Sequence, residues 1–163
     1  MVSNVGGTFM ATATLSPGGN RPDGITAGDF DNDGDMDIAY TADIFVSVYF
    51  NNAGTLAGPF NFSSGGQNSG PLMAADFDCD GDLDIVVGGG RALLQDADGG
   101  FEPVVLPGVA GEVELADWDG DGRLDVGWSY SGFDGDSLGI AFQHPDGGFP
   151  PEDVFELAPE LSA

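Results

Sequence analysis

The sequence has no lysine, and its only cationic side chains are Arg21, Arg91 and Arg123. Nucleic-acid binding is therefore disfavoured, because phosphate contacts need Lys and Arg. One cysteine, Cys79, excludes an intrachain disulfide. One histidine, His144, stands before Pro145 and reads as a surface turn residue, and no Ser-His-Asp set can be built from the spacing. No stretch approaches the ~20 apolar residues of a membrane span, so membrane insertion is not expected. Met1-Val2-Ser3-Asn4 lacks the charged start and apolar middle of a signal peptide. If a parent protein is exported, its signal is expected to have been removed or to lie elsewhere. Helix signals are nearly missing: the longest candidate, Pro151 to Leu161, carries Pro159.

What is abundant is acid. Asp and Glu total 28, Lys and Arg total 3, and the formal net charge is −25. Many of these acids fall in one nine-residue stretch that occurs three times. The copies are Asp29-Phe30-Asp31-Asn32-Asp33-Gly34-Asp35-Met36-Asp37, Asp76-Phe77-Asp78-Cys79-Asp80-Gly81-Asp82-Leu83-Asp84 and Asp117-Trp118-Asp119-Gly120-Asp121-Gly122-Arg123-Leu124-Asp125. Each is followed by a β-prone run: Ile38-Ala39-Tyr40, Ile85-Val86-Val87 and Val126-Gly127-Trp128.

Carboxylates at this density repel one another, and a hard cation removes that cost. Ca²⁺ takes about six to eight oxygen ligands in a flexible geometry. Positions 1, 3, 5 and 9 can supply side-chain oxygens, and position 7 its main-chain carbonyl. Asp35, Asp82 and Arg123 hold position 7; arginine has no side-chain oxygen to give but keeps its carbonyl. Gly at position 6 permits the positive φ of a sharp turn. An EF-hand would need a bidentate Glu at position 12, where the chain has Tyr40, Val87 and Trp128. The bland alternative is three solvated acidic turns. Three bound Ca²⁺ ions would remove only six of the negative charges, so the excess has a second cause. A high-salt habitat, where acidic surfaces stay soluble, and a Lys-poor, high-GC source both fit.

Gly-Phe landmarks punctuate the chain between these loops: Gly6-Gly7-Thr8-Phe9, Ala57-Gly58-Pro59-Phe60, Gly99-Gly100-Phe101 and Gly147-Gly148-Phe149. Each reads as a turn followed by a strand. With the acidic loop joining strand A to strand B, the spacing predicts A over Gly24–Phe30, Pro71–Phe77 and Glu112–Trp118. Strand B is expected over Met36–Thr41, Leu83–Gly88 and Leu124–Tyr130, and C over Phe45–Phe50, Ala92–Gln95 and Leu138–Gln143. Spare D-type strands are expected at Thr8–Leu15 and Phe149–Leu157. Four strands in each ~40–50-residue repeat is the period of a β-propeller blade. The expected fold is all-β, with three four-stranded antiparallel blades in one repeat domain, 1–163. It divides into an N-terminal strand and turn (1–23), blade 1 (24–63), blade 2 (64–105) and blade 3 with a tail (106–163). Phe30, Phe77 and Trp118 are expected in an inter-blade core. Trp128 and Tyr130 also read as core, with a sugar-stacking platform as the alternative. Ser131–Ser137 reads as a longer connection that presents Phe133. Cys79 reads as a tolerated small residue rather than a nucleophile.

The Asp-x-Asp-x-Asp-Gly-x-x-Asp loop between two strands, with its apolar run and one Gly-Phe landmark per repeat, resembles the FG-GAP (VCBS-type) repeats of integrin α-subunit propellers and their bacterial relatives. The resemblance covers nearly the whole chain. It implies one Ca²⁺ in each loop, one blade per repeat and an extracellular setting, with about seven blades where this chain has three. Its leading functional expectation is a non-enzymatic, Ca²⁺-stabilised adhesion or binding module for a protein or glycan ligand. The alternatives are a non-catalytic segment of a larger secreted polysaccharide-active enzyme, and a self-assembling structural unit. Three blades leave two open flanks, so the expectation is a homodimer that closes a six-bladed ring, with Thr8–Leu15 latching onto the outer edge of the partner's blade 3, or else a three-blade chain that stays monomeric.

Overall fold

Short apolar runs rich in β-branched residues, cut by Gly- and Asp-rich turns, favour strands over helices. The computed structural model describes residues 2–5, 8–11, 22–66, 70–106, 109, 111–132, 135–150 and 154–157, and among them every regular element is a strand. No helix of the described residues is long and apolar enough to cross a membrane.

The strands β1 (Val2–Val5) and β2 (Thr8–Ala11) pair as an antiparallel hairpin. Three four-stranded antiparallel sheets follow. The first holds β3 (Pro22–Gly28), β4 (Asp37–Ala42), β5 (Phe45–Asn52) and β6 (Thr55–Ser63). The second holds β7 (Leu72–Ala75), β8 (Asp84–Val87), β9 (Arg91–Gln95) and β10 (Phe101–Val105). The third holds β11 (Glu112–Ala116), β12 (Asp125–Gly132), β13 (Gly135–Ala141) and β14 (Val154–Leu157). In each, spatial order follows chain order, and no sheet closes into a barrel.

The second sheet is covered on both faces. Ile85 and Val87 of β8 join a core with Phe30, Ala39, Val46 and Val48 of the first repeat. Val86, between them, joins a second core with Val113, Val126 and Trp128 of the third. A strand buried on both faces loses the polar alternation of a half-exposed one, which is why Ile85-Val86-Val87 reads as an unbroken apolar run. The two cores are bound by aromatic contacts: Phe30 meets Phe101 edge-on at 6.3 Å, and Phe77 stacks on Phe149 at 5.5 Å.

Four local expectations change. Thr8–Ala11 pairs with β1 instead of standing as a spare strand, while residues 12–15 lie outside the described residues. The outer edge of the third sheet is held by β14, which pairs with β13, so that edge is not open to a partner's latch. Gly58-Pro59-Phe60 is no turn: β6 starts at Thr55 and runs through it, with a register shift against β5 between Val48 and Phe50. Ser131–Ser137 lengthens the β12–β13 hairpin itself, whose ladder runs out to Gly132 and Gly135; Phe133 lies outside the described residues.

Candidate metal centres

Each acidic loop leaves the first strand of its sheet and enters the second. Positions 4 and 6 both adopt positive φ in every copy: Asn32 (56°) and Gly34 (93°), Cys79 (64°) and Gly81 (102°), Gly120 (82°) and Gly122 (94°). A Cβ at position 6 would meet nothing within 4 Å, so glycine is required there by the backbone angle and not by crowding. This turn aims main-chain N–H groups back at the loop's own carboxylates. Asp29 accepts from Asp33 N at 3.1 Å and Gly34 N at 3.0 Å; Asp117 accepts from Asp121 N and Gly122 N, both at 3.0 Å. The loops are ordered by their own sequence as much as by the sheets.

The result is three carboxylate triads. Asp29, Asp31 and Asp33 in the first loop, Asp76, Asp78 and Asp84 in the second, and Asp117, Asp119 and Asp125 in the third each offer oxygens within 4.8 Å of one another. A cation with ~2.3–2.6 Å bonds to oxygen spans such a set. The second loop adds an orphan: Asp76 Oδ1 is buried and has no hydrogen-bond partner among the described residues. Burial and the neighbouring Asp33 and Asp80 charges push the carboxyls of Asp31 and Asp78 above the ordinary range. Without a cation the ionised triad is therefore costly, and a hard divalent ion fits the donor set by charge and chemistry.

Position 9 does a second job that its acidic character does not announce. Asp37, Asp84 and Asp125 are fully buried. Asp37 accepts Phe30 N and Asn51 N, both at 2.7 Å. Asp84 accepts Phe77 N at 2.7 Å and Gln95 N at 2.8 Å. Asp125 accepts Trp118 N at 2.8 Å and Gln143 N at 2.9 Å. Each carboxylate thus ties the loop to the end of its sheet's third strand. Burial outweighs these bonds and raises Asp37 above its ordinary value, and Asp84 to about 6.

Of the other expected ligands, Asp35 and Asp37 of the first loop, Asp80 and Asp82 of the second, and Asp121 and Arg123 of the third lie outside the triads. Asp80 accepts from Asp82 N, Asp82 accepts from Asn32 Nδ2 of the first loop at 2.8 Å, and Asp35 accepts from Ala53 N. The Asn32–Asp82 bond sets the first two loops side by side. In the third loop Arg123 pairs with Asp121 and donates from Nε to the Gln143 carbonyl at 3.0 Å.

Sequence reasoning missed the residues that join the sheets. Gln95 Nε2 donates to the Phe30 carbonyl at 2.9 Å, and Gln143 Nε2 to the Phe77 carbonyl at 2.8 Å. The position-2 aromatics Phe30 and Phe77 are buried as expected, but Trp118 is 42% exposed, because no sheet covers that face of the third among the described residues. Trp128 is buried and Tyr130 exposed, so the two form no shared stacking platform. His144 is exposed at the β-turn before Gly148, and Cys79 is an exposed free thiol. No protein-family model matches the chain, and no curated protein matches it.

Proposed function

We propose that the chain is a calcium-loaded module of the β-propeller type, each sheet a blade, which acts by binding and not by catalysis. The observation that carries this reading is that the acidic loop at the same place in three successive sheets gathers three carboxylates each time, from positions 1, 3 and 5 in the first and 1, 3 and 9 in the second and third. Ca²⁺ suits it better than a softer metal: every donor is an oxygen, and no His or Cys joins a triad. The loop pattern, shared with FG-GAP repeats, supports an extracellular or cell-surface setting and a protein or glycan ligand. Binding residues on loops held by a rigid scaffold are a common arrangement.

Titration calorimetry is expected to find three Ca²⁺ ions per chain, and EDTA to lower the melting temperature, since a ligand of the folded state stabilises by mass action. No uptake together with a chelator-insensitive melt would overturn the calcium reading. A glycan array read with and without EDTA tests the ligand class.

A further inference from the structure

The two sheet-to-sheet interfaces inside the chain are built on one register. At the first, Leu72, Ile85, Leu93 and Phe101 of the second sheet face the first sheet. At the second, Val113, Val126, Ala141 and Phe149 of the third repeat face the second sheet. Aligning the loops on their first Asp, the third strands on the residue whose N–H meets the position-9 carboxylate, and the fourth strands on the residue opposite it, puts Ile25, Ile38, Tyr49 and Leu56 of the first sheet at the same four places. Leu72 and Val113 are each 5% exposed, yet Ile25 is 71% exposed. Met36 holds the place of Leu83 and Leu124, which pack against the two cores, and is itself exposed. This flank is a groove of about 330 Å³ whose walls include Ile25, Ile38, Tyr40 and Tyr49.

The far face of the third sheet carries the complementary half. Trp118 stands where Phe30 and Phe77 are buried. Gly127 and Ile140 stand where the first sheet has the buried Ala39 and Val48, and Leu138, 50% exposed, stands where it has the buried Val46. The Trp118 ring lies over Gly127, where a Cβ would come within 2.7 Å of it. The groove beside it measures about 360 Å³. The cross-sheet hydrogen bonds have the same unfinished series: Gln95 serves the Phe30 carbonyl and Gln143 the Phe77 carbonyl. Asn51 holds the third donor place and the Trp118 carbonyl the third acceptor place.

We propose that a second copy of this chain covers both flanks, the first sheet of each copy packing on the third sheet of the other to close a ring of six sheets. One molecule carries both halves of an interface that it already makes twice internally, position by position, and this singles out a copy of itself over a partner of other chemistry. Two identical head-to-tail contacts related by a twofold axis close the assembly. They also remove from water the apolar flanks that a monomer exposes. Where the loops of neighbouring sheets meet, Gly120 of one copy comes opposite Asp35 of the other, the places held by Asn32 and Asp82 inside the chain, so no like charges are set face to face at that point. The net charge of −25 on each copy opposes association and is screened by salt. The inference rests on reading each sheet as a blade, and not on what the loops bind.

The test is solution mass in Ca²⁺ and moderate salt across a range of concentration. The expected species is a dimer, twice the 16.7 kDa chain, with Trp118 emission shifting to the blue as it forms while the already buried Trp128 contributes no shift. Ile25→Arg and Trp118→Glu, both at exposed positions, are expected to give folded monomers. Mixed in equal amounts they are expected to recover the dimer, since one of its two contacts is then wild-type on both sides and the other sets Arg against Glu. A wild-type monomer at every concentration overturns the inference, as does an open polymer. So does a dimer that survives in either variant alone, because that would be a face-to-face pairing. Calorimetry on the same samples keeps the two proposals apart: a dimer without calcium uptake sinks only the calcium reading, and calcium uptake by a monomer sinks only the ring.

Discussion

Gln143 Nε2 reaches from the third sheet to the carbonyl of Phe77 in the second loop, 2.8 Å away and buried. Its own main-chain N–H meanwhile meets Asp125. One residue thus fastens its own sheet to its loop and its neighbour's loop to itself. Gln95 repeats the arrangement one sheet earlier.

Replacing Gln143 or Gln95 by Leu strands a buried carbonyl. The expected loss is about 1–3 kcal/mol in urea unfolding. Asn51→Leu, whose side chain makes only exposed bonds, donating to the Met36 carbonyl at 3.2 Å and accepting from Gly54 N at 2.9 Å, is expected to cost the monomer less than that. Equal losses at all three positions would mean that the cross-sheet bonds carry no special weight.

Positions 3 and 9 of the second loop both belong to its triad, but only position 9 also serves the fold. Asp84→Ala leaves the buried N–H groups of Phe77 and Gln95 without their acceptor, and should destabilise the protein by ~2–4 kcal/mol even in EDTA. Asp78→Ala removes a triad carboxylate that accepts Asp80 N at 3.3 Å in an exposed bond, and should change the EDTA melt little while weakening calcium uptake. Melts of the two variants with and without calcium check this directly.

The third loop should be the weakest calcium site. The Arg123 guanidinium already pairs with Asp121, and an incoming cation must displace that charge or tolerate it. Arg123→Ala is expected to tighten the third site about two- to fivefold, the range of a partly exposed ion pair worth up to ~1 kcal/mol. Site-resolved calcium titration by NMR would show it, and an unchanged or weaker third site would count against the competition.

Acid should help the metal-free protein and hurt the metal-loaded one. Burial raises Asp84 to about 6, and raises Asp31, Asp37 and Asp78 in the same direction. A raised carboxyl binds its proton more tightly in the folded state. Its stabilising contribution is full below the ordinary carboxylate range and is lost as pH rises through the folded value, near 6 for Asp84. In EDTA the melting temperature should therefore be higher at pH 5 than at pH 7. Calcium needs the ionised form, so uptake at the second loop should strengthen over the same interval. Melts and calcium titrations at the two pH values test both signs.

The sequence alone determined what is local. Three acidic loops, the positive-φ position 6 and the strands on either side follow from residues within about ten positions of one another, and each was legible there. Ile85-Val86-Val87 was legible as a β-prone run, but its cover on both faces came from the neighbouring sheets. Tertiary structure decided what is distant. The Gln95–Phe30 and Gln143–Phe77 bonds join residues 65 and 66 positions apart. Asn51, Gln95 and Gln143 follow their position-9 aspartates by 14, 11 and 18 residues, so no fixed spacing reveals that they are equivalent. Trp118 carries the same motif as Phe30 and Phe77 yet is exposed, because burial depends on whether a neighbouring sheet covers the face, and a motif within one repeat cannot encode that.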